Sequence, residues 1–499
     1  KKKHKAYKRY LNTKEGLDYT KYIAERNLCN KTIKKVKREY EKKIAKNCKT
    51  NAKGFWNYVK SKTKSSCGVS PLKTPSGDVT ESDIDKANVL NDFFSSVFTK
   101  ENCEDMPPDH EAERSEGITL NDIQVTPKAV ADKLKNLNSN KAHGPDGIPS
   151  RVLKELYSEL SVPLSILFNK SIHEGVVPQD WREATVTAIF KKGTRCDPGN
   201  YRPVSLTSIV CKTLESLIRD VLVSYMNENK LYTECQHGFR QHRSCITQLL
   251  EVMEELTTLI DNKNDIDIIY LDFSKAFDSV PHERLILKLK SYGITGFVLQ
   301  WIESFLKDRV QRVRVGRDQS GSKDVISGIP QGSILGPILF TIFINDLPDV
   351  IQSYIKIFAD DTKIFNSPQN SNIIQQDLNS LQQWSDTWQL KFNANKCKVL
   401  HIGKQNPSNS YYMQDNDSQS IINSCSSEKD LGVTFDSDFT FDVHINTAIN
   451  KANKMLGVIR RVFSFIDKES FLNLYKSLVR PHLEYGNIIW YPFLKKTIC

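Results

Sequence analysis

At 499 residues, 39% of them hydrophobic and 26% charged, the chain has room for two to four domains and an ordinary globular core. No apolar run reaches the roughly 18 residues of a membrane span, no secretory signal is visible, and the eleven cysteines, scattered from Cys29 to Cys499 without a C-x-x-C pair, argue for reduced thiols in an intracellular compartment and against a zinc knuckle. The net charge of +11 favours an anionic partner, with nucleic acid the first candidate. The sequence opens at Lys1 without a methionine, as expected of a piece of a longer product.

Residues 1–65 hold 22 Lys or Arg against 5 Asp or Glu and predict a basic helical linker arm. Cys29, Ile33, Val36, Tyr40 and Ile44 recur at three- and four-residue steps, one apolar face of a helix. Lys34, Lys35, Lys37, Arg38, Lys42 and Lys43 fill the remaining surface, either as phosphate contacts or as a solvated face. Phe55, Trp56, Tyr58 and Val59 fit the packed side of an amphipathic helix better than a base-stacking platform. Residues 66–117 read as a Pro/Gly loop, a helix through Ala87, Leu90, Phe93, Phe94 and Phe98 capped by Ser82 or Thr80, and then an acidic, apolar-poor flexible linker over Glu101–Gly117. In 118–173, Thr126–Leu137 predicts a helix with Pro127 in its first turn. The stretch S-N-K-A-H-G-P-D-G-I-P-S, Ser139–Ser150, predicts a turn yielding to a helix at Val152–Leu156.

From 174 to 440 strands and helices alternate. Ala184–Phe190 is β-branched and ends in the turn Lys191-Lys192-Gly193, with N-Y-R-P-V-S-L following at Asn200–Leu206. A strand, basic turn and strand can lay Lys and Arg over a triphosphate, and they equally suit a surface hairpin tip. Helices at Lys212–Asn227 and Ile246–Ile260 flank the basic turn Q-H-G-F-R-Q-H-R-S-C, Gln236–Cys245. His237 and His242 lie five apart with no carboxylate between them, which rejects a helical zinc site. Trp301–Gly316 reads as a helix followed by a strand pair, with Arg309, Arg312 and Arg314 on one nucleic-acid-facing side. Ile373–Trp388 is a helix whose Leu378, Leu381, Trp384 and Trp388 form a core stripe, and Leu390–Ile402 is strand, turn and strand. Residues 441–499 turn helical, with Lys451, Lys454, Arg460 and Arg461 along one side.

Two acidic stretches carry the chemistry. Y-I-K-I-F-A-D-D-T-K-I-F, Tyr354–Phe365, predicts a tight hairpin with Ile355, Ile357 and Ile364 inward and Asp360-Asp361 at its tip. Taken alone, this is as good a solvated turn as a site. In I-D-I-I-Y-L-D-F-S-K-A-F-D-S-V, Ile266–Val280, a β-rich run ends at Asp272. Asp272, Asp360 and Asp361 together would supply the hard oxygen donors that two Mg²⁺ ions need. Between them lies S-G-I-P-Q-G-S-I-L-G-P-I-L-F-T-I-F-I-N-D-L, Ser327–Leu347, whose Gly328, Gly332 and Gly336 flank an expected helix start at Pro330-Gln331-Gly332 and allow close backbone approach.

F-A-D-D, D-F-S-K-A-F-D and the long Ser327–Leu347 block, in that family's order, resemble the reverse transcriptases of LINE-type (non-LTR) retrotransposons, the jockey-like group in particular. The long block is the specific one, and the resemblance covers roughly residues 120 to 499. It implies an α+β right-hand polymerase with fingers, a palm bearing an antiparallel sheet, and a partial helical thumb at 441–499, preceded by the basic arm. Residues 118–173 would be its N-terminal extension, holding the RNA template. It implies RNA-directed DNA synthesis with two Mg²⁺ ions (Mn²⁺ as an alternative), an RNA template, a DNA primer or target DNA, deoxynucleoside triphosphates and no membrane.

The resemblance also assigns residues. Asp272, Asp360 and Asp361 would be catalytic and hold metal, with the Phe273 carbonyl as a further ligand. Lys191 or Lys192, Arg202, Phe277, Gln331 and Lys396 would meet the nucleotide, Phe277 by excluding a 2′-hydroxyl and Lys396 by protonating pyrophosphate. Phe277 suits core packing as well, and Lys396 a surface position. Asp278 would be structural. Arg240, Arg243 and Gly432, the last in the D-L-G-V-T-F primer hairpin, would meet nucleic acid. Target-primed copying of the element's own RNA implies nuclear action with cytoplasmic assembly. A catalytically inactive RNA-binding fossil and an intron-maturase-like protein remain alternatives, and a ribonucleotide polymerase would meet obstruction at Phe277.

Overall fold

The computed structural model describes residues 1–63, 68–108, 117–415 and 418–491. They form a mixed α/β protein with two compact units, one drawn from Lys1–Cys67, Gly432–Asp436 and Thr440–Cys499, the other from Gly68–Leu431 and Ser437–Phe439. Among the described residues no helix is long and apolar enough to cross a membrane.

The larger unit contains two five-stranded sheets. The first is built from β1 (Glu183–Phe190), β2 (Tyr201–Leu206), β4 (Arg309–Val315), β5 (Asp318–Gln319) and β6 (Lys323–Val325); the second from β3 (Ile266–Leu271), β7 (Tyr354–Phe358), β8 (Asp361–Asn366), β9 (Lys398–Ile402) and β12 (Asn423–Cys425). A separate ribbon pairs β10 (Tyr412–Asp415) with β11 (Ser418–Ile421).

In the first sheet β1 pairs antiparallel with β2 and parallel with β4. The helix Asp83–Ser96 covers this sheet, burying Ala87, Leu90 and Phe94 against Val186, Tyr201 and Val313. Ser82 caps that helix in a reciprocal capping box with Asp85. The arginines of β4 do not share a side. The strand alternates, so Arg309 is 2% exposed while Arg312 and Arg314 face outward.

The second sheet runs β12-β9-β3-β8-β7. Its centre is β3, antiparallel to both β8 and β9, and its Ile266, Ile268 and Ile269 are fully buried. Helices Gly336–Phe343 and Ser371–Trp388 contribute Phe340, Phe343, Leu378, Leu381 and Trp384 to the same core, with Trp388 packed against it. The helix expected to begin at Pro330 starts instead at Gly336, because Pro330–Leu335 is held as a loop by the contacts described below.

The acidic stretch expected as a flexible linker from Glu101 is bound at its start. Glu101 accepts hydrogen bonds from the amides of Glu283 and Arg284, both at 3.0 Å, and pairs with the Arg284 guanidinium at 3.1 Å. Arg284, 1% exposed, also donates to the carbonyls of Asn102 and Asp105. The rest of that stretch, 109–116, lies outside the described residues.

In the smaller unit the long helix Gly16–Asn47 and the helix Ala52–Lys62 pack with Asp442–Val462 and Lys468–Leu474. The apolar face read from the sequence is turned outward along most of its length: Ile33 and Val36 are 58% exposed and Tyr40 54%, and of that series only Ile44 is buried. The buried side is centred on Glu41, which is fully enclosed. It accepts from the Tyr58 hydroxyl at 2.6 Å and from the amides of Ser464 (3.2 Å) and Phe465 (3.0 Å).

Candidate active site

The second sheet brings the acidic stretches together. Leu271 is the last residue of β3 and stands opposite Thr362, so Asp272, one residue on, and Asp361, one residue back, end up at the same edge. The hairpin β7–β8 closes with Phe358 opposite Asp361, leaving Ala359-Asp360 as a two-residue turn. Ile355, Ile357 and Ile364 point into the core as expected, which fixes the register and with it the position of the tip.

The carboxylates strain against each other electrostatically. Burial, then the charge of Asp272, raises the carboxyl of Asp360 above its ordinary value. Burial, then the charges of Asp360, Asp430 and Asp272, pushes Asp361 up to about 6. Positive groups converge in answer. Arg202 and Lys191 lower Asp360, Lys363 lowers Asp361, and the Lys396 ammonium donates to Asp272 Oδ1 at 3.1 Å. Lys363 is itself ion-paired with buried Asp430.

Among the described residues no three His, Cys, Asp or Glu side chains are grouped closely enough to hold a metal ion. The donor chemistry nevertheless fits a divalent cation. Three carboxylates from two strand ends, two of them with raised affinity for a proton, are hard oxygen donors whose negative charge a divalent cation would relieve if they closed on it. Lys396 contacts only Oδ1 of Asp272.

Behind the carboxylates the backbone is anchored. The Asn393 amide donates to the Asp272 carbonyl at 2.7 Å and the Ser274 amide to the Lys391 carbonyl at 2.8 Å. Phe273 stacks on Phe392 with ring centres 4.4 Å apart. Phe277 is half-buried and stacks on Phe340 at 4.7 Å, while its carbonyl accepts from the Ile329 amide at 2.7 Å. This ties the residue expected to face the sugar to the glycine-rich loop.

That loop is held by Asp278 and by Glu215, a residue for which the sequence suggested no role. Gln331 gives both hydrogen bonds of its Nε2 to the Asp278 carboxylate, each at 2.9 Å, and its carbonyl accepts from the Ser205 amide at 2.7 Å. At Gly332 (φ +121°) a Cβ would lie 2.6 Å from the Ser205 carbonyl oxygen, so glycine is required there. Burial pushes Asp278 up to about 6, against the lowering effect of Gln331, Lys275 and Arg202. Glu215, fully enclosed, accepts from the Ser333 hydroxyl (2.5 Å) and the amides of Ile334 (2.7 Å) and Leu335 (3.3 Å). Its only sequence signal was a lone carboxylate amid an apolar helix face.

Other expected residues lie apart from this cluster. Lys192 is exposed. Arg240 bonds the Thr233 carbonyl at 2.7 Å, pairs with Glu234 at 3.5 Å and covers the Tyr232 ring. Arg243 pairs with Glu234 and Glu251. Gly432 belongs to the smaller unit, where its φ of +97° and the Tyr485 ring 2.7 Å from a would-be Cβ demand glycine.

Residues 189–458, just over half the chain, match the family described as reverse transcriptase (RNA-dependent DNA polymerase). The RNA-directed DNA polymerase from mobile element jockey of Drosophila melanogaster is 28% identical over 439 residues, covering 84% of this chain and 47% of that protein. The probable RNA-directed DNA polymerase from transposon BS of the same species is 26% identical over 504 residues, 93% of this chain and 54% of that protein. The corresponding protein from transposon X-element is 28% identical over 386 residues, 74% of this chain and 42% of that protein. The chain thus spans about half the length of the curated relatives it matches. With its carboxylates gathered at one sheet edge and this match across 189–458, the chain belongs to the reverse transcriptase family.

Proposed function

We propose that the chain is the polymerase portion of a non-LTR retrotransposon protein and adds deoxynucleotides to a primer 3′-hydroxyl on an RNA template. The observation that carries this reading is the meeting of Asp272, Asp360 and Asp361 at one edge, with Arg202, Lys191 and Lys396 acting on them. In this reading the second sheet is the palm, the first sheet the fingers and the helices after 441 the thumb, with residues 1–65 as a basic arm and 118–173 as an N-terminal extension.

Asp272, Asp360 and Asp361, with the Phe273 carbonyl, would hold two Mg²⁺ ions. Once bound, such ions lower the pKa of a primer hydroxyl and neutralise charge on a departing pyrophosphate. The chain's own residues do the rest. Arg202 and Lys191 bind the triphosphate. Lys396, freed from Asp272, is placed to give a proton to pyrophosphate. Phe277, backed by Phe340, presents a fixed ring where a 2′-hydroxyl would lie. Asp278 orients Gln331 toward the nucleotide. Copying at a chromosomal target would place this work in the nucleus.

The test is extension of a DNA primer on an RNA template with Mg²⁺ and deoxynucleotides. Wild type extends and Asp360→Ala does not. Equal extension by both removes the assignment of the metal ligands, and extension by neither removes the polymerase reading.

A further inference from the structure

The turn that carries Asp360 is held from outside its own hairpin. Residues 235–237 run parallel to β7: the Ile357 amide donates to the Cys235 carbonyl and the His237 amide to the Ile357 carbonyl, both at 2.9 Å. Between them the Gln236 side chain is fully buried. Its Oε1 accepts from the amide of Ala359 at 3.1 Å and from that of Gly238 at 2.7 Å. Both partners are N–H donors, so turning the side-chain amide over would set its NH₂ against them. Nε2 has no partner among the described residues, which leaves the acceptor oxygen as the working atom.

Two further features mark this clasp as more than packing. Ala359 has a φ of +56°, a conformation an L-residue keeps only where its surroundings impose it. At Gly238 a Cβ would lie 2.4 Å from the Ala359 nitrogen and 3.0 Å from the Phe358 carbonyl carbon, so only glycine lets the segment come this close. Gln236 therefore holds the Ala359 amide, and the bare Gly238 backbone leaves room for that contact. Neither residue touches the Asp360 carboxylate.

We propose that Gln236, seated by Gly238, is a positioning residue that fixes the Ala359-Asp360 turn and thereby aims the Asp360 carboxylate at its metal. The proposal rests on the reading of Asp360 as a metal ligand. It gives the Q-H-G-F-R stretch a task directed inward, at the site, through a main-chain amide that any residue at 359 except proline could supply.

The test is a Mn²⁺ titration of the full chain followed by electron paramagnetic resonance. Circular dichroism and RNA affinity are recorded on the same preparations of wild type, Gln236→Met, Gly238→Ala and Asp360→Asn. Methionine keeps the volume of glutamine and removes its strong acceptor. Gly238→Ala keeps the acceptor and displaces the turn, so it serves if Gln236→Met does not fold. Both are expected to weaken Mn²⁺ binding about 10–100-fold with folded spectra and RNA affinity within about twofold of wild type. In primer extension both lower kcat while the deoxynucleotide KM stays within about threefold.

Mn²⁺ binding by the folded variants within about twofold of wild type overturns the proposal. So does a loss of metal that only accompanies loss of the folded spectrum and of RNA binding, which would make Gln236 a general staple. If Asp360→Asn binds Mn²⁺ as wild type does, the ligand reading itself has failed. If Asp360→Asn loses the metal and the folded Gln236→Met does not, only the positioning role has failed.

Discussion

Asp278 keeps its proton at pH values where an ordinary aspartate has lost it, because burial outweighs the two hydrogen bonds from Gln331. A carboxyl raised to about 6 makes the folded chain bind more protons than the unfolded one between about pH 4 and 6, so stability falls as pH rises through that window. Asp278→Asn removes the penalty. It should be more stable than wild type at pH 7.5 by about 1–2 kcal/mol, with the gain vanishing below about pH 4, as read from urea melts at the two pH values. The meeting of Asp272, Asp360 and Asp361 at one sheet edge was legible because each adjoins a β-rich run in a recognisable motif. The bond between Asp278 and Gln331 was not, since it depends on where the Ser327–Leu335 loop lands on β2 and on Asp278. Glu215 was invisible for a related reason. A buried carboxylate looks like an error in an apolar helix until the amides it satisfies are known.

Among the elements, the second sheet was the easiest to read. Alternation in Tyr354–Phe358 and the Asp-Asp turn marked the hairpin, although all of Thr362–Phe365 is buried in the second strand, and capping residues marked the helices at Asp83 and Pro127. The helix Gly16–Asn47 was read with the wrong side inward except at Ile44. Cys29, Ile33, Val36 and Tyr40 repeat with helical period, yet the helix is docked through Glu41, Ile44 and Ala45. A pattern of apolar residues cannot register that a carboxylate is the centre of the contact. Burial and then the Glu41 carboxylate push the Tyr58 phenol up, so it remains a donor to Glu41. Glu41→Ala should leave that hydroxyl and two amides unpaired and cost about 3 kcal/mol. Hydrogen exchange should then rise through Asp442–Val462 and Lys468–Leu474, while the β3 amides of the larger unit stay protected. Unchanged exchange in those two helices would show that Glu41 does not hold the helix Gly16–Asn47 to them.

At the scale of the whole molecule, the sequence pointed to nucleic acid through charge and to its family through one long motif. It did not show that residues 1–63 and the helices after 441 share one compact unit, because nothing local links segments from opposite ends of a chain. The exposed Lys31, Lys34, Lys35 and Arg38 lie along the arm. If they meet phosphates, replacing all four with alanine lowers the magnitude of the slope of log affinity against log salt for single-stranded RNA by up to about 2–3. Fluorescence anisotropy across a salt series reads this directly, and an unchanged slope would assign the arm a purely structural role.

In the proposed function, carboxylates from two distant stretches act as one site. The most direct test of this is single-turnover addition of one deoxynucleotide to a DNA primer on an RNA template by wild type and Asp272→Asn, with RNA affinity measured on the same samples. Asp272 lies outside the Asp360-Asp361 hairpin, so its loss probes the joint site rather than the turn. A joint site requires a fall of about a thousandfold or more in rate, with RNA affinity within about twofold of wild type. Addition by Asp272→Asn at the wild-type rate would contradict it.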